Sequence, residues 1–236
     1  MRNPPRGEAR RSFLSRVGTG ATALGALLTA DPARAAAQAG ASARGSRFQP
    51  ARHAQDDWLD ALPGTHRFVF DATTPRGFGE ALLYANNFFV ANHDAYQLAD
   101  SDAAVVIVAR HTATPFAYTD AVWGKYAAQI GQLLDFIDPK TKQRPTTNLY
   151  NSDAYGTALP NFGTTIETLV KRGVVFAVCQ MATRFFAMNF AGGSGNADAI
   201  YSELASNLVP NSRLVAAGIV AVNRAQERGY TLATVG

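Results

Sequence analysis

Val174-Val175-Phe176-Ala177-Val178-Cys179-Gln180-Met181 is the stretch that decides the fold of this chain. An apolar run of this length, β-branched and aromatic, reads as a strand buried on both faces. Gly173 punctuates its start, and a helical pattern opens just beyond it at Ala182-Thr183-Arg184-Phe185-Phe186. Cys179, the only cysteine, therefore stands where a parallel strand hands over to a helix, the place where open α/β sheets put their ligands.

Working outward, Thr164 to Gly173 reads as a helix with a cap at one end and a glycine stop at the other. Asp102 to His111 reads as a second buried strand, emerging on the basic pair Arg110-His111. His66 to Asp71 alternates and ends on an acid, as a first strand would. Thr73-Thr74-Pro75 then supplies an N-cap and a proline at the first helical position. Gly77 and Gly79 are expected to loosen that turn. A helix through Glu80 to Tyr96 follows, with Leu82, Phe89 and Tyr96 on one stripe and Leu83 and Val90 beside it. The next helix, about Thr119 to Phe136, spaces Val122, Tyr126, Ile130 and Leu134 four apart. Residues 138–163 are polar and proline-punctuated, a loop long enough to be either functional or frayed. Beyond Cys179 come a helix to about Asn189, the turn Gly192-Gly193-Ser194-Gly195-Asn196, and a helix over Ala197 to Leu208. Leu214 to Ala217 is either a strand or the lead-in to a helix over Ile219 to Arg228, and Tyr230 to Val235 closes as a last strand. Such alternation predicts a three-layer α/β domain over residues 65–236 with a mostly parallel sheet.

With 47% hydrophobic and 17% charged residues among 236, the composition is that of a globular protein. The pI near 9.4 suggests a polyanion as partner, but the charge is unevenly placed. Residues 1–35 hold six of the 22 basic residues and two of the 18 acidic ones, leaving 16 of each sign in the remainder. A neutral body has no long-range field for nucleic acid, so none is expected as a partner. A single cysteine excludes an internal disulfide and leaves a buried inert thiol, a reactive thiol or a crosslink between subunits.

Within residues 1–35, Arg10-Arg11-Ser12-Phe13-Leu14 closely resembles the twin-arginine export consensus. Val17 to Ala30 is only moderately apolar and too short to span a bilayer, and Ala33-Arg34-Ala35 offers a small-x-small cleavage site. The resemblance implies a signal peptide, passage through the twin-arginine translocase after folding, and a periplasmic destination. Residues 36–64 read as a flexible linker in which Trp58 and Leu59 clip onto the body.

The strand pattern resembles the DsrE/DsrF-like family of small α/β proteins, in particular its exported members with a twin-arginine leader. The matching stretches are Val105 to His111 with Thr114-Pro115-Phe116, Trp123-Gly124-Lys125-Tyr126, Leu169 to Met181 around Cys179, and Ala225 to Tyr230. The resemblance implies a flavodoxin-like sandwich assembled as trimers or hexamers. It also implies a persulfide role for Cys179, with small sulfur species or another sulfur carrier as partner. Sulfur-carrying members often have a turn richer in cysteine or glycine where this chain has Cys179-Gln180-Met181-Ala182.

From the residues themselves, Cys179 is either a small buried hydrophobe or a thiol activated by the positive end of the following helix. Arg110, His111 and Arg184 add to that field if they converge on it, and Asp71 either binds a ligand or caps its own turn. His53, His66, His93 and His111 lack metal-ligand spacing, and no metal or other cofactor is expected. The Gly192 to Asn196 loop does not follow a strand and lacks the lysine of a phosphate cradle. No Gly-x-Ser-x-Gly elbow occurs. Phe185, Phe186 and Phe190 recur at helical spacing, as core or subunit interface. Two functions follow as alternatives: a sulfur carrier using Cys179, or a non-catalytic oligomer that binds a ligand or partner at the sheet edge while Cys179 is only packed.

Overall fold

The computed structural model describes residues 49–236. The stretch that resembles an export motif (Arg10, Arg11, Phe13 and Leu14), the cleavage site expected at Ala33-Arg34-Ala35 and the start of the expected linker lie outside the described residues. Among those described, five strands form one sheet: β1 (His66–Ala72), β2 (Ala103–Ala109), β3 (Val175–Cys179), β4 (Ser212–Val215) and β5 (Thr231–Val235). Their order is β4-β3-β2-β1-β5, and every pairing is parallel. The helices are α1 (Trp58–Ala61), α2 (Pro75–Tyr96), α3 (Asp120–Leu133), α4 (Ile166–Lys171), α5 (Gln180–Ala191), α6 (Ala197–Ser206) and α7 (Gly218–Gln226). None of these is long and apolar enough to cross a membrane. The expected three-layer α/β sandwich is what the chain forms.

Handedness explains how the layers fill. From β1 to β4 the chain steps across the sheet in one direction, and right-handed crossovers then place every connecting helix on the same face. The return from β4 to β5 reverses the direction, so α7 falls on the opposite face. The two cores match this division. Phe70, Val105, Ile107 and Phe176 pack with Phe78, Leu82, Trp123, Ile166, Phe186 and Leu204 on the crowded face. Val69, Val106, Val108 and Ala177 point the other way, onto Ala221, Val222 and Ala225 of α7 and Leu59 of α1. β3 sends its helix to one face and its neighbour β4 sends α7 to the other, so a crevice opens between them at the carboxyl edge.

Several expectations shift in detail. Thr74 caps α2 as read, its Oγ1 accepting the Gly77 N–H at 2.9 Å. The glycines after it do not loosen the turn; they permit close approach. A Cβ on Gly77 would stand 2.4 Å from the Val235 carbonyl oxygen, and one on Gly79 would stand 2.6 Å from the Tyr150 hydroxyl. The buried stripe of α2 is Phe78, Leu82, Ala85 and Phe89, whereas Tyr96 and Val90 are exposed. Leu214 belongs to a strand, with α7 starting after Ala217. Arg110-His111 leads into a 3-10 stretch over His111–Ala117 that the sequence reading did not anticipate.

The long loop and residues 50–64 of the expected linker both prove to be parts of the domain. In the 138–163 segment Asn148, Tyr150 and Asn161 are buried. Asn148 Nδ2 donates to the Phe116 carbonyl at 2.7 Å and Tyr150 OH donates to the Pro75 carbonyl at 2.8 Å. The loop is a polar plug in the crowded face, neither frayed nor open. The domain starts earlier than residue 65, at about Pro50. Leu59 is fully buried, and its carbonyl accepts from Tyr230 OH at 2.7 Å and Arg67 Nη1 at 2.8 Å. The clip expected of Trp58 and Leu59 is real, and full burial of one leucine contributes roughly 1.5–3 kcal/mol.

Candidate functional site

Strand alternation puts three of the expected residues in one row. Asp71, Arg110 and Cys179 share the parity of Val69, Val108 and Ala177, so all three face the α7 side of the sheet. Ala109 pairs with Val178, which sets Arg110 beside Cys179 at the carboxyl edge. The Arg110 guanidinium grips Asp71 in a bidentate pair, Nε to Oδ1 at 2.6 Å and Nη2 to Oδ2 at 2.9 Å. The carboxylate is buried and the guanidinium partly exposed. Hydrogen bonding to Asp71 holds the Arg110 pKa above its ordinary value, and the neighbouring Cys179 acts in the same direction. Arg110 is therefore a fixed cation on a planar mount.

Cys179 ends β3 and also serves as the N-cap of α5. Its Sγ takes the position of a capping oxygen and accepts the Ala182 N–H at 3.4 Å. Its carbonyl accepts from Thr183 Oγ1 at 3.0 Å, and Tyr118 OH donates to that Thr183 oxygen at 3.0 Å. Burial pushes the Tyr118 pKa well above the usual phenol range, so this hydroxyl stays a donor. The two bonds pin the strand-to-helix turn from the inside. Cys179 is 6% exposed, and what it exposes opens into a cleft of about 450 Å³.

Arg110, His111 and Thr112 line one end of that cleft, and Cys179 is among its lining residues. Met181, Ala182, Phe185 and Phe186 of α5 and Leu133 form one apolar side; Ala217, Gly218 and Ile219 form the other. His111 sits there in a left-handed backbone conformation with φ 54°, uncommon for a residue with a side chain. Thr112 Oγ1 donates to the Thr73 carbonyl at 3.0 Å and ties this corner to the end of β1. A Cβ on Gly218 would lie 2.5 Å from the Arg110 Cβ, so only glycine lets α7 start this close to the guanidinium stem.

Of the expected site residues, the structure brings together Cys179, Arg110 and His111, with Asp71 behind Arg110. It does not bring in Arg184. That guanidinium lies 4.1 Å from the centre of the Tyr201 ring, on the side of α5 that faces α6. The residues at 181, 182, 185 and 186 form the cleft stripe of α5, and position 184 falls off it. Phe186 and Phe190 are core as read, whereas Phe185 is half-exposed in the cleft. Sequence reasoning missed Tyr118, Thr183, Leu133 and Gly218 as site residues. Only Thr183, one turn after Cys179, had a signal in its spacing. Among the described residues no three His, Cys, Asp or Glu side chains converge as a metal centre.

The arrangement can hold a small molecule against an apolar wall while presenting a sulfur atom, itself accepting a backbone N–H, and a guanidinium to one end of it. No family model and no curated relative matches this chain. Among solved structures, it is similar to that of MTH1491 from Methanobacterium thermoautotrophicum, described as a protein of unknown function. The likeness covers 72% of this chain and 99% of that one, at 15% identity and a TM-score of 0.36.

Proposed function

We propose that the chain is an exported sulfur carrier of the DsrE/DsrF-like type, in which Cys179 takes up sulfane sulfur as a persulfide and hands it on. One observation carries this reading: Cys179 opens into the same cleft as Arg110 and His111, with a backbone N–H on its Sγ. A thiolate and a persulfide anion are both stabilised by such donors. In the transfer, the Cys179 thiolate attacks the outer sulfur of a donor R–S–SH. The Sγ–S bond forms, the donor S–S bond breaks and the electron pair leaves on R–S⁻. The working site of this carrier is the periplasm, and its assembly is a homo-oligomer, trimeric or hexameric. Mass spectrometry of the purified protein after exposure to polysulfide or thiosulfate tests the reading. A sulfur adduct confined to Cys179 supports it, whereas no adduct together with full cellular function of Cys179→Ser defeats it.

The low exposure of Cys179 and the apolar walls favour a second reading, a ligand-binding oligomer in which the thiol is only packed. That reading expects iodoacetamide to label Cys179 only after unfolding. It also expects changes at His111 or Asp71 to harm function more than Cys179→Ser does.

A further inference from the structure

Resting on the sulfur-carrier reading, we infer that the donor served by this cleft is an organic persulfide with an apolar body and an anionic end, rather than an inorganic sulfur species. At about 450 Å³ the cleft is within the range of pockets that enclose whole organic ligands. An inorganic sulfur anion would fill a small part of it and leave the walls in water. Those walls are unusually apolar for an open surface: Met181, Phe185 and Ile219 are 67%, 49% and 58% exposed around the cleft. An apolar body laid between them removes both surfaces from water, which is favourable.

Charge sets the direction of the ligand. The lining includes Arg110 and no acidic residue. Arg110 commits Nε and Nη2 to Asp71, which leaves Nη1 for a ligand. Beside it α7 starts without a side-chain cap, so its first-turn N–H groups add a partial positive charge at the same end. An anionic end therefore goes to Arg110 and the start of α7, the apolar body to the Phe185–Ile219 walls, and the sulfur to Cys179. The overall exchange is Cys179–SH plus R–S–SH giving Cys179–S–SH plus R–SH. The proton lost by Cys179 ends on the departing thiolate, and nothing is oxidised or reduced overall.

The full mature protein is incubated with mercaptohexanoate persulfide, hexanethiol persulfide or sodium tetrasulfide, and the one-sulfur adduct on Cys179 is followed by mass spectrometry. In parallel, phenylhexanoate, which carries no sulfur, is tested for its ability to slow alkylation of Cys179. The expected result is loading by mercaptohexanoate persulfide about tenfold faster than by either other donor, and clear protection by phenylhexanoate. Ile219→Asp, at an exposed position of the cleft wall, should abolish that advantage and the protection. Equal rates with all donors and no protection would overturn the donor class and leave the carrier reading intact. No adduct from any donor would overturn both, and protection seen alongside that result would mark the cleft as an acid-binding site instead.

Discussion

Replacing Arg110 by methionine should destabilise the domain far more than an ordinary surface substitution, and removing Asp71 as well should restore most of the loss. In the folded chain the hydrogen bonds of the buried Asp71 carboxylate run to Arg110, at 2.6 and 2.9 Å. Arg110→Met keeps the length of the stem but strands that carboxylate. Breaking a buried pair on one side typically costs about 3–5 kcal/mol. The Arg110 side chain is 27% exposed, so water can reach part of the vacated space, and the lower end of the range, about 3 kcal/mol, is expected. For a domain of this size that corresponds to a fall in Tm of roughly 6–12 °C. Arg110→Met with Asp71→Leu replaces the pair by apolar groups of similar shape and should lie within about 1 kcal/mol of the parent. Urea unfolding of the parent, both single variants and the double variant gives the coupling energy directly. A cost below about 1 kcal/mol for Arg110→Met, or a double variant no better than the single, would refute the claim that this pair mounts the guanidinium.

Three further outcomes follow from the same structure. Gly77→Ala should cost at least about 2 kcal/mol by thermal or urea unfolding, because the new Cβ, in the first turn of α2, meets the backbone oxygen of Val235 at the end of β5 at 2.4 Å. Leu59→Ala should cost about 2–4 kcal/mol and raise dye binding by exposed apolar surface, since Leu59 covers Val69 and Val106 on the thin face. Burial raises the pKa of Tyr118 and Tyr150, and pushes Tyr230 up to about 12. These phenols ionise first in the unfolded chain, near pH 10. Their contribution to stability is therefore constant below that pH and is lost as pH rises through the folded values, by up to about 4 kcal/mol per pH unit when all three act together. The part of the tyrosine absorbance that comes from these three phenols should rise during a base titration only together with the loss of far-UV circular dichroism; their ionisation near pH 10 in a still-folded protein would contradict it.

What could be read in advance divides along the range of the interactions. The apolar runs at Val105–Val108 and Val175–Val178, the Thr74-Pro75 start and the Gly173 stop are local signals, and they placed the strands and Cys179 correctly. That Asp71, Arg110 and Cys179 share one face was not legible, because β2 and β3 are apolar on both faces and only the packing against α7 shows which parity faces it. The pairing of Asp71 with Arg110 was not legible, because it depends on how β1 and β2 are staggered. Arg184 was misplaced because a position on a short helix is settled by what its sides meet, and Tyr201 comes from another helix. The plug over residues 138–163 is built around Asn148 and Tyr150, polar residues that look like loop until their distant carbonyl partners at Phe116 and Pro75 are known, with Asn161 bonded locally to the Thr164 carbonyl. The linker hid its role for a related reason: α1 is four residues long, too short to show any period.

The reversal of direction at β4 gives the cleft two jaws of separate origin. One jaw is anchored in the thick core through Phe186; the other is the first turn of a nine-residue helix that touches the opposite face. Substitutions at Ala217 or Ile219 can thus reshape what the cleft admits without disturbing the packing that aims the sulfur. In the proposed carrier, selectivity and reactivity are in this way assigned to different layers of the molecule, free to change at different rates.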